Sequence, residues 1–204
     1  FAASFGSSMA AWTYYRQHLL KPSFWYMAFI ATFIGAVFGS VLVYLLNAQW
    51  LEKALPLLII GIAIYSLLSP NAISDTDCQT PTKAQSQLKQ SLQGLLLGIY
   101  DGFAGPGIGA FWTVSSGSLY KLPLLHSCAL ARAMTFTSNL TALAIFGFLG
   151  QVHWQIGLWM GLCMMLGSFI GARCAIKFGM PFIRPLFILI VLSIAANLAW
   201  SAWF

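Results

Sequence analysis

The chemistry this chain offers is concentrated in Gly98-Ile99-Tyr100-Asp101-Gly102-Phe103-Ala104-Gly105-Pro106-Gly107-Ile108-Gly109-Ala110-Phe111. Five glycines and a proline fall within twelve residues of an otherwise apolar stretch. Both residue types break helices. The run therefore predicts two half-helices joined by unwound backbone. An exposed helix N-terminus there presents N–H groups and a partial positive charge, which suit an anion. Gly105, Gly107, Ile108 and Gly109 are the candidate binding residues, because the second arm starts near Gly107–Ile108. The competing reading is a glycine-rich packing kink with no ligand, although five glycines exceed what one kink requires. Asp101 is the only carboxylate in any apolar segment. A carboxylate at membrane depth is costly and marks function by default. Three roles stay open for it: carrying a coupling proton, capping a half-helix, or pairing with Arg132.

A second group follows in Arg132-Ala133-Met134-Thr135-Phe136-Thr137-Ser138-Asn139. Spacings of three and four put Thr135, Ser138 and Asn139 on one helix face. Hydroxyl and amide donors suit an oxyanion of modest charge. Interhelical hydrogen bonding is the bland alternative, and the commoner fate of Ser and Thr in membrane helices.

The elements that must position these groups are membrane helices. The 204 residues are 59% hydrophobic and 7% charged, with a mean hydropathy of +0.81, whereas soluble domains carry about 25% charged residues. Uncharged runs at Phe24–Leu46, Ala133–Gly150, Trp154–Ala172 and Pro185–Phe204 reach the length of a bilayer span. Backbone amides in lipid need internal partners, so these runs are helices. Candidate spans are Phe1–Tyr15, Phe24–Leu46, Ala54–Leu68, the special segment Leu92–Tyr120, Ala133–Gly150, Trp154–Ala172 and Pro185–Phe204. The polar stretch Asn71–Lys89 separates the third from the fourth. At 1.5 Å per residue, each arm of Leu92–Tyr120 covers about 21 Å, too short for a bilayer.

The chain also repeats itself. Gly35-x-x-x-Gly39 recurs 132 residues later as Gly167-x-x-x-Gly171, and Leu57, Ile62 and Ala63 recur as Leu189, Ile194 and Ala195. The same offset brings Gly6 and Ser7 onto Ser138 and Asn139, which adds them to the candidate cavity. With Arg16, Lys21, Lys83, Lys89, Lys121, Arg132, Arg173, Lys177 and Arg184 on the cytoplasmic side, nine of the ten Lys and Arg residues lie inside, as membrane topology favours. This works only if Leu92–Tyr120 starts and ends on one side. The second half then runs opposite to the first. The predicted fold is all-α: a polytopic integral membrane protein with an inverted-topology repeat and a broken, re-entrant glycine-rich hairpin, the usual plan of secondary transporters. Residues 1–70 form the first repeat, truncated at its start, 71–89 a polar cytoplasmic linker, and 90–204 the second repeat.

Other chemistries find no support. No Walker, HExxH or GxSxG motif occurs, no nucleophile–base pair lies at depth, and the reading is not an enzyme. Cys78, Cys128, Cys163 and Cys174 form no CxxC pair and read as small core residues. His18, His126 and His153 lack ligand spacing, so no metal or cofactor is expected. The scattered basic residues of this +6 chain give no nucleic-acid signal. The chain opens at Phe1 among apolar residues, without a visible signal peptide, so a preceding segment is expected.

The run Gly98–Phe111, followed by Thr137-Ser138-Asn139, Gly150-Gln151-Val152-His153-Trp154 and Gly171-Ala172-Arg173, resembles the TauE/SafE sulfite-exporter family, also called the toluenesulfonate uptake permease family. The likeness is strong from Leu92 onward and rests on spacing and hydropathy before Ser69. It implies a multi-pass inner-membrane transporter, bacterial in origin, for small sulfur-containing or organic anions such as sulfite, thiosulfate, taurine-related sulfonates or sulfoacetate. It also implies a second glycine-rich hairpin, 132 residues before Leu92–Tyr120 by the repeat offset. The expected partners are a small anionic substrate and the lipid bilayer, with a homodimer allowed. An anion channel or a membrane scaffold without a substrate are the alternative functions.

Overall fold

The computed structural model describes residues 1–20, 22–45, 83–105, 107–150 and 154–179, with single positions at 185, 189 and 193. Among the described residues there are six α-helices and no strand. They are α1 (Ala2–Arg16), α2 (Tyr26–Leu45), α3 (Lys83–Phe103), α4 (Ile108–Tyr120), α5 (Leu124–Phe148) and α6 (Trp154–Phe178). The predicted span Ala54–Leu68 and nearly all of Pro185–Phe204 lie outside the described residues.

The helices are packed as lipid demands. Along α2 the small residues Ala28, Ala31, Gly35, Ala36 and Gly39 are buried, while Phe33, Phe38 and Leu45 face outward. A soluble helix buries its large apolar side chains. In lipid that driving force between helices is absent, and small residues let backbones approach. By length and composition, α2 and α6 are long and apolar enough to cross a membrane.

The closest approach joins α2 to α3. A Cβ on Gly98 would lie 2.6 Å from the Thr32 carbonyl oxygen, and one on Gly102 2.5 Å from that of Ala36. One on Gly94 would lie 2.8 Å from the Ala28 carbonyl, and one on Gly35 2.5 Å from that of Leu95. Gly39 meets the Ile99 carbonyl in the same way. Backbone therefore rests on backbone along both helices. Ala28 faces Gly94, Thr32 faces Gly98 and Ala36 faces Gly102, so α2 and α3 run parallel. Two of the five glycines read as helix breakers, Gly98 and Gly102, are thus helical and serve this contact.

Three boundaries differ from the sequence reading. Helix α3 begins at Lys83, so the end of the expected linker 71–89 is helical, and its polar first turns extend an apolar arm. The two arms are consequently unequal, at 21 and 13 residues. Helix α5 begins at Leu124, after the short Lys121–Pro123 link, with Pro123 at its N-cap, where a residue without an N–H leaves no donor to satisfy. Arg132 is therefore helical and not part of a connecting loop. Helix α6 continues past Ala172 to Phe178 and takes in Arg173 and Lys177.

Candidate functional site

The two arms α3 and α4 double back on each other. The Gln93 amide donates to Ser115 Oγ at 2.6 Å and to Ser116 Oγ at 3.2 Å. Nearer the tip, the Tyr100 and Phe111 rings meet edge to face at 5.3 Å. Both pairs lie almost symmetrically about residues 104–106, so the arms are antiparallel.

Left-handed backbone makes the turn. Gly105 has φ +76° and Gly107 φ +79°, a region where a side chain is strained. The Gly105 and Ala104 N–H groups donate to the Tyr100 carbonyl, which closes α3. Gly107 then sits at the N-cap of α4, and no side chain caps that helix. Ile108 is buried, while a Cβ on Gly109 would meet nothing within 4 Å among the described residues. Among the described residues the N-terminal turn of α4 is open on its Gly109 side.

Asp101 lies on the last turn of α3, with Oδ1 3.7 Å from where a Gly105 Cβ would be. Its other carboxyl oxygen accepts a hydrogen bond from Ser138 Oγ on α5. The packing explains why. Gly98 and Gly102 turn the glycine face of α3 onto α2, which leaves Asp101 to another face, where α5 lies. One turn before Ser138, the buried Thr135 hydroxyl has no hydrogen-bond partner among the described residues. Asn139 is half-buried next to it.

The structure brings Asp101, Gly105 and Ser138 together, and it gives Arg132, Gly6 and Ser7 other surroundings. Arg132 is exposed, and among the described residues no ion pair joins it to Asp101. Among the described residues Asp101 is partnered by Ser138 and not by Arg132. Gly6 packs on α6, where its Cβ would meet Ser168 Oγ at 3.0 Å and Met164 Cβ at 3.3 Å. The Ser7 hydroxyl donates to the Ala3 carbonyl at 2.7 Å. Gly6 serves the α1–α6 contact, while the Ser7 hydroxyl is bound within α1.

Three residues at the hairpin escaped the sequence reading. Gln93 clasps the arms. Trp112 is fully buried on α4, and Ser40 is fully buried against Gly102, each with a polar atom unpartnered among the described residues. Ser40 follows Gly39 of the repeated GxxxG motif, which was the only available signal for it.

A helical chain packed small-side-in, with a carboxyl held at a broken hairpin, is a membrane protein built around a polar joint. Over residues 1–198 it matches the model of the family described as "Sulfite exporter TauE/SafE". The chain belongs to that family. It is similar to a "Probable membrane transporter protein" of Haemophilus influenzae, 31% identical over 98% of this chain and 78% of the relative. A second relative, "Probable membrane transporter protein ORF9" of a Sinorhizobium species, is 34% identical over 95% of this chain and 73% of its own length. A third, "Probable membrane transporter protein YfcA" of Escherichia coli, is 30% identical over 97% and 72%. No solved structure matches. The chain is a membrane transporter by family.

Proposed function

We propose that the chain is a secondary transporter of small anions, sulfur oxyanions or organosulfonates, in a bacterial inner membrane. The observation that carries this is the Asp101 carboxyl bound to Ser138 beside an uncapped helix N-terminus at a glycine-broken joint. The α4 N-terminus attracts an anion. An ionised Asp101 repels one, and a protonated Asp101 does not. Anion and proton therefore bind together, which couples the two fluxes. Thr135, Ser138 and Asn139 supply donors from α5, with Gly105, Gly107, Ile108 and Gly109 forming the anion cradle. The sulfur preference rests on the family description alone. The same reading makes the chain a transporter and not an enzyme.

Alternating access follows from an inverted repeat. Two packed helix pairs support it. Phe5 of α1 meets Gly161 of α6 and Gly6 meets Met164, while Thr32 of α2 meets Met134 of α5. The 132-residue offset maps α1 onto α5 and α2 onto α6, so it exchanges these two pairs. The hairpin's parallel packing on α2 agrees with re-entry from the side that holds Arg16. In this reading 1–70 and 90–204 are the two repeats.

Flux in proteoliposomes tests the proposal. Sulfite, thiosulfate, sulfoacetate, taurine and a carboxylate control would each be assayed with and without a pH gradient. Saturable flux of one sulfur anion, driven by the gradient, is the expected result. Conductance above turnover rates would make the chain a channel. No flux of any anion in folded protein would favour a scaffold.

A further inference from the structure

We infer that the basic end of α1 and α6 forms a headgroup site for an anionic phospholipid. A cavity of about 610 Å³ lies between these helices, lined by Arg16, Arg173 and Lys177 with Trp12, Thr13 and Phe169. Arg16 is the last residue of α1, and Arg173 and Lys177 lie one turn apart at the end of α6. Cations suit helix C-termini, which accounts for their positions but not for their convergence on one cavity. Among the described residues the only carboxylate side chain is Asp101, and that group is bound to Ser138. No acidic side chain of the described residues therefore answers these three charges.

The geometry favours a phosphate. The Arg173 guanidinium carbon sits 4.1 Å from the Phe169 ring centroid. Such stacking holds the guanidinium plane in place and leaves its N–H edge to grip two oxygens of one phosphate. Lys177 and Arg16 add point charges around the same space. Basic pockets between membrane helices on the cytoplasmic side suit lipid headgroups, and the Lys and Arg distribution puts this end of the bundle on that side.

A lipid, in contrast to a free anion, also needs a place for its acyl chains. Leu166, Ile170, Arg173 and Lys177 follow one another at helical spacings of four, three and four, and so form one stripe of α6. Leu166 is 62% exposed and Ile170 61% exposed. The stripe is apolar toward mid-membrane and cationic at the helix end, as a phospholipid requires. Trp12, on the cavity wall, is 57% exposed, and tryptophan favours the interfacial layer.

The test measures thermal stability of the full-length protein in detergent, with added phosphatidylglycerol, phosphatidylcholine or inorganic phosphate. Phosphatidylglycerol should raise the melting temperature, and the other two should not. In Arg16→Gln/Arg173→Gln, the apparent affinity for phosphatidylglycerol should fall on the order of 30-fold, at roughly fivefold per cation. Both side chains are exposed, so the lipid-free melting temperature should stay near that of the native protein. Native mass spectrometry of the unaltered protein gives a second readout, which should show phosphatidylglycerol retained over phosphatidylcholine. Equal stabilisation by phosphatidylcholine, or an unchanged affinity in the variant, would overturn the site. Equal stabilisation by inorganic phosphate would make it a pocket for soluble anions and overturn the lipid assignment. None of these readouts depends on transport.

Discussion

Gly98→Ala puts one methyl group between α2 and α3, where the backbones touch. Its Cβ would sit 2.6 Å from the Thr32 carbonyl oxygen and 3.0 Å from Thr32 Cα. Ordinary contact begins near 3.4 Å, so the helices must part by the difference of 0.8 Å. Neither obstacle is the end of a flexible side chain. Overpacking of this kind costs about 1–3 kcal/mol. Alanine also favours a helix over glycine by up to about 1 kcal/mol, which acts in the opposite direction. Gly167→Ala isolates the two effects. A Cβ there meets nothing within 4 Å among the described residues, so against these residues only the helix preference changes. The gap between the two variants should then equal the steric cost alone. At about 2–4 °C per kcal/mol for a chain of this size, Gly98→Ala should melt roughly 2–12 °C below Gly167→Ala. Thermal unfolding in detergent, followed by size-exclusion fluorescence, reads this directly. If Gly98→Ala melts at or above Gly167→Ala, the glycine contact does not hold the hairpin against α2.

Two further outcomes concern the hairpin. Gln93→Leu and Ser115→Ala each remove the 2.6 Å hydrogen bond between the arms. Their double-mutant cycle should give a coupling of about 0.5–1.5 kcal/mol, and strict additivity would mean that the arms are not clasped there. Single cysteines at Gln85 and Leu122, in a background without the native cysteines, should react with an impermeant reagent from the same membrane face. Reaction from opposite faces would end the re-entrant reading and the inverted repeat with it.

The helical class was plain in the sequence because uncharged runs of span length admit few alternatives. The joint at Gly105 and Gly107 was also legible, since glycine beside proline leaves the backbone few options. Gly98 and Gly102 were not. Helix breaking and close packing use the same residue, and only the facing helix tells them apart. The spacing Gly94, Gly98, Gly102 is the small-residue pattern of a packed membrane helix, complementary to Ala28, Thr32 and Ala36. Gly6 and Ser7 show the limit of the repeat. A sequence offset onto Ser138 and Asn139 does not fix their neighbours: Gly6 packs on α6, and the Ser7 hydroxyl is bound within α1. Asp101 was singled out by its isolation. Its role had three readings, of which Arg132 was the one named partner, and Ser138 emerged only from the packing. Helix ends at Lys83 and Phe178 were obscured because charged first and last turns look like loop in a chain whose spans are found by hydropathy, and the start at Leu124 because Arg132 interrupts the uncharged run.

In the proposed function Asp101, at the hairpin joint, links anion movement to protons. Asp101→Asn keeps an oxygen that can accept from Ser138 Oγ but loses the titratable group. The decisive measurement compares this variant with the native chain in two proteoliposome assays of the anion identified by flux. One follows accumulation driven by a pH gradient, and the other follows exchange of labelled for unlabelled anion without a gradient. The variant should lose gradient-driven accumulation and keep exchange. Unchanged accumulation in the variant would contradict this link, because the proton would then travel through some other group.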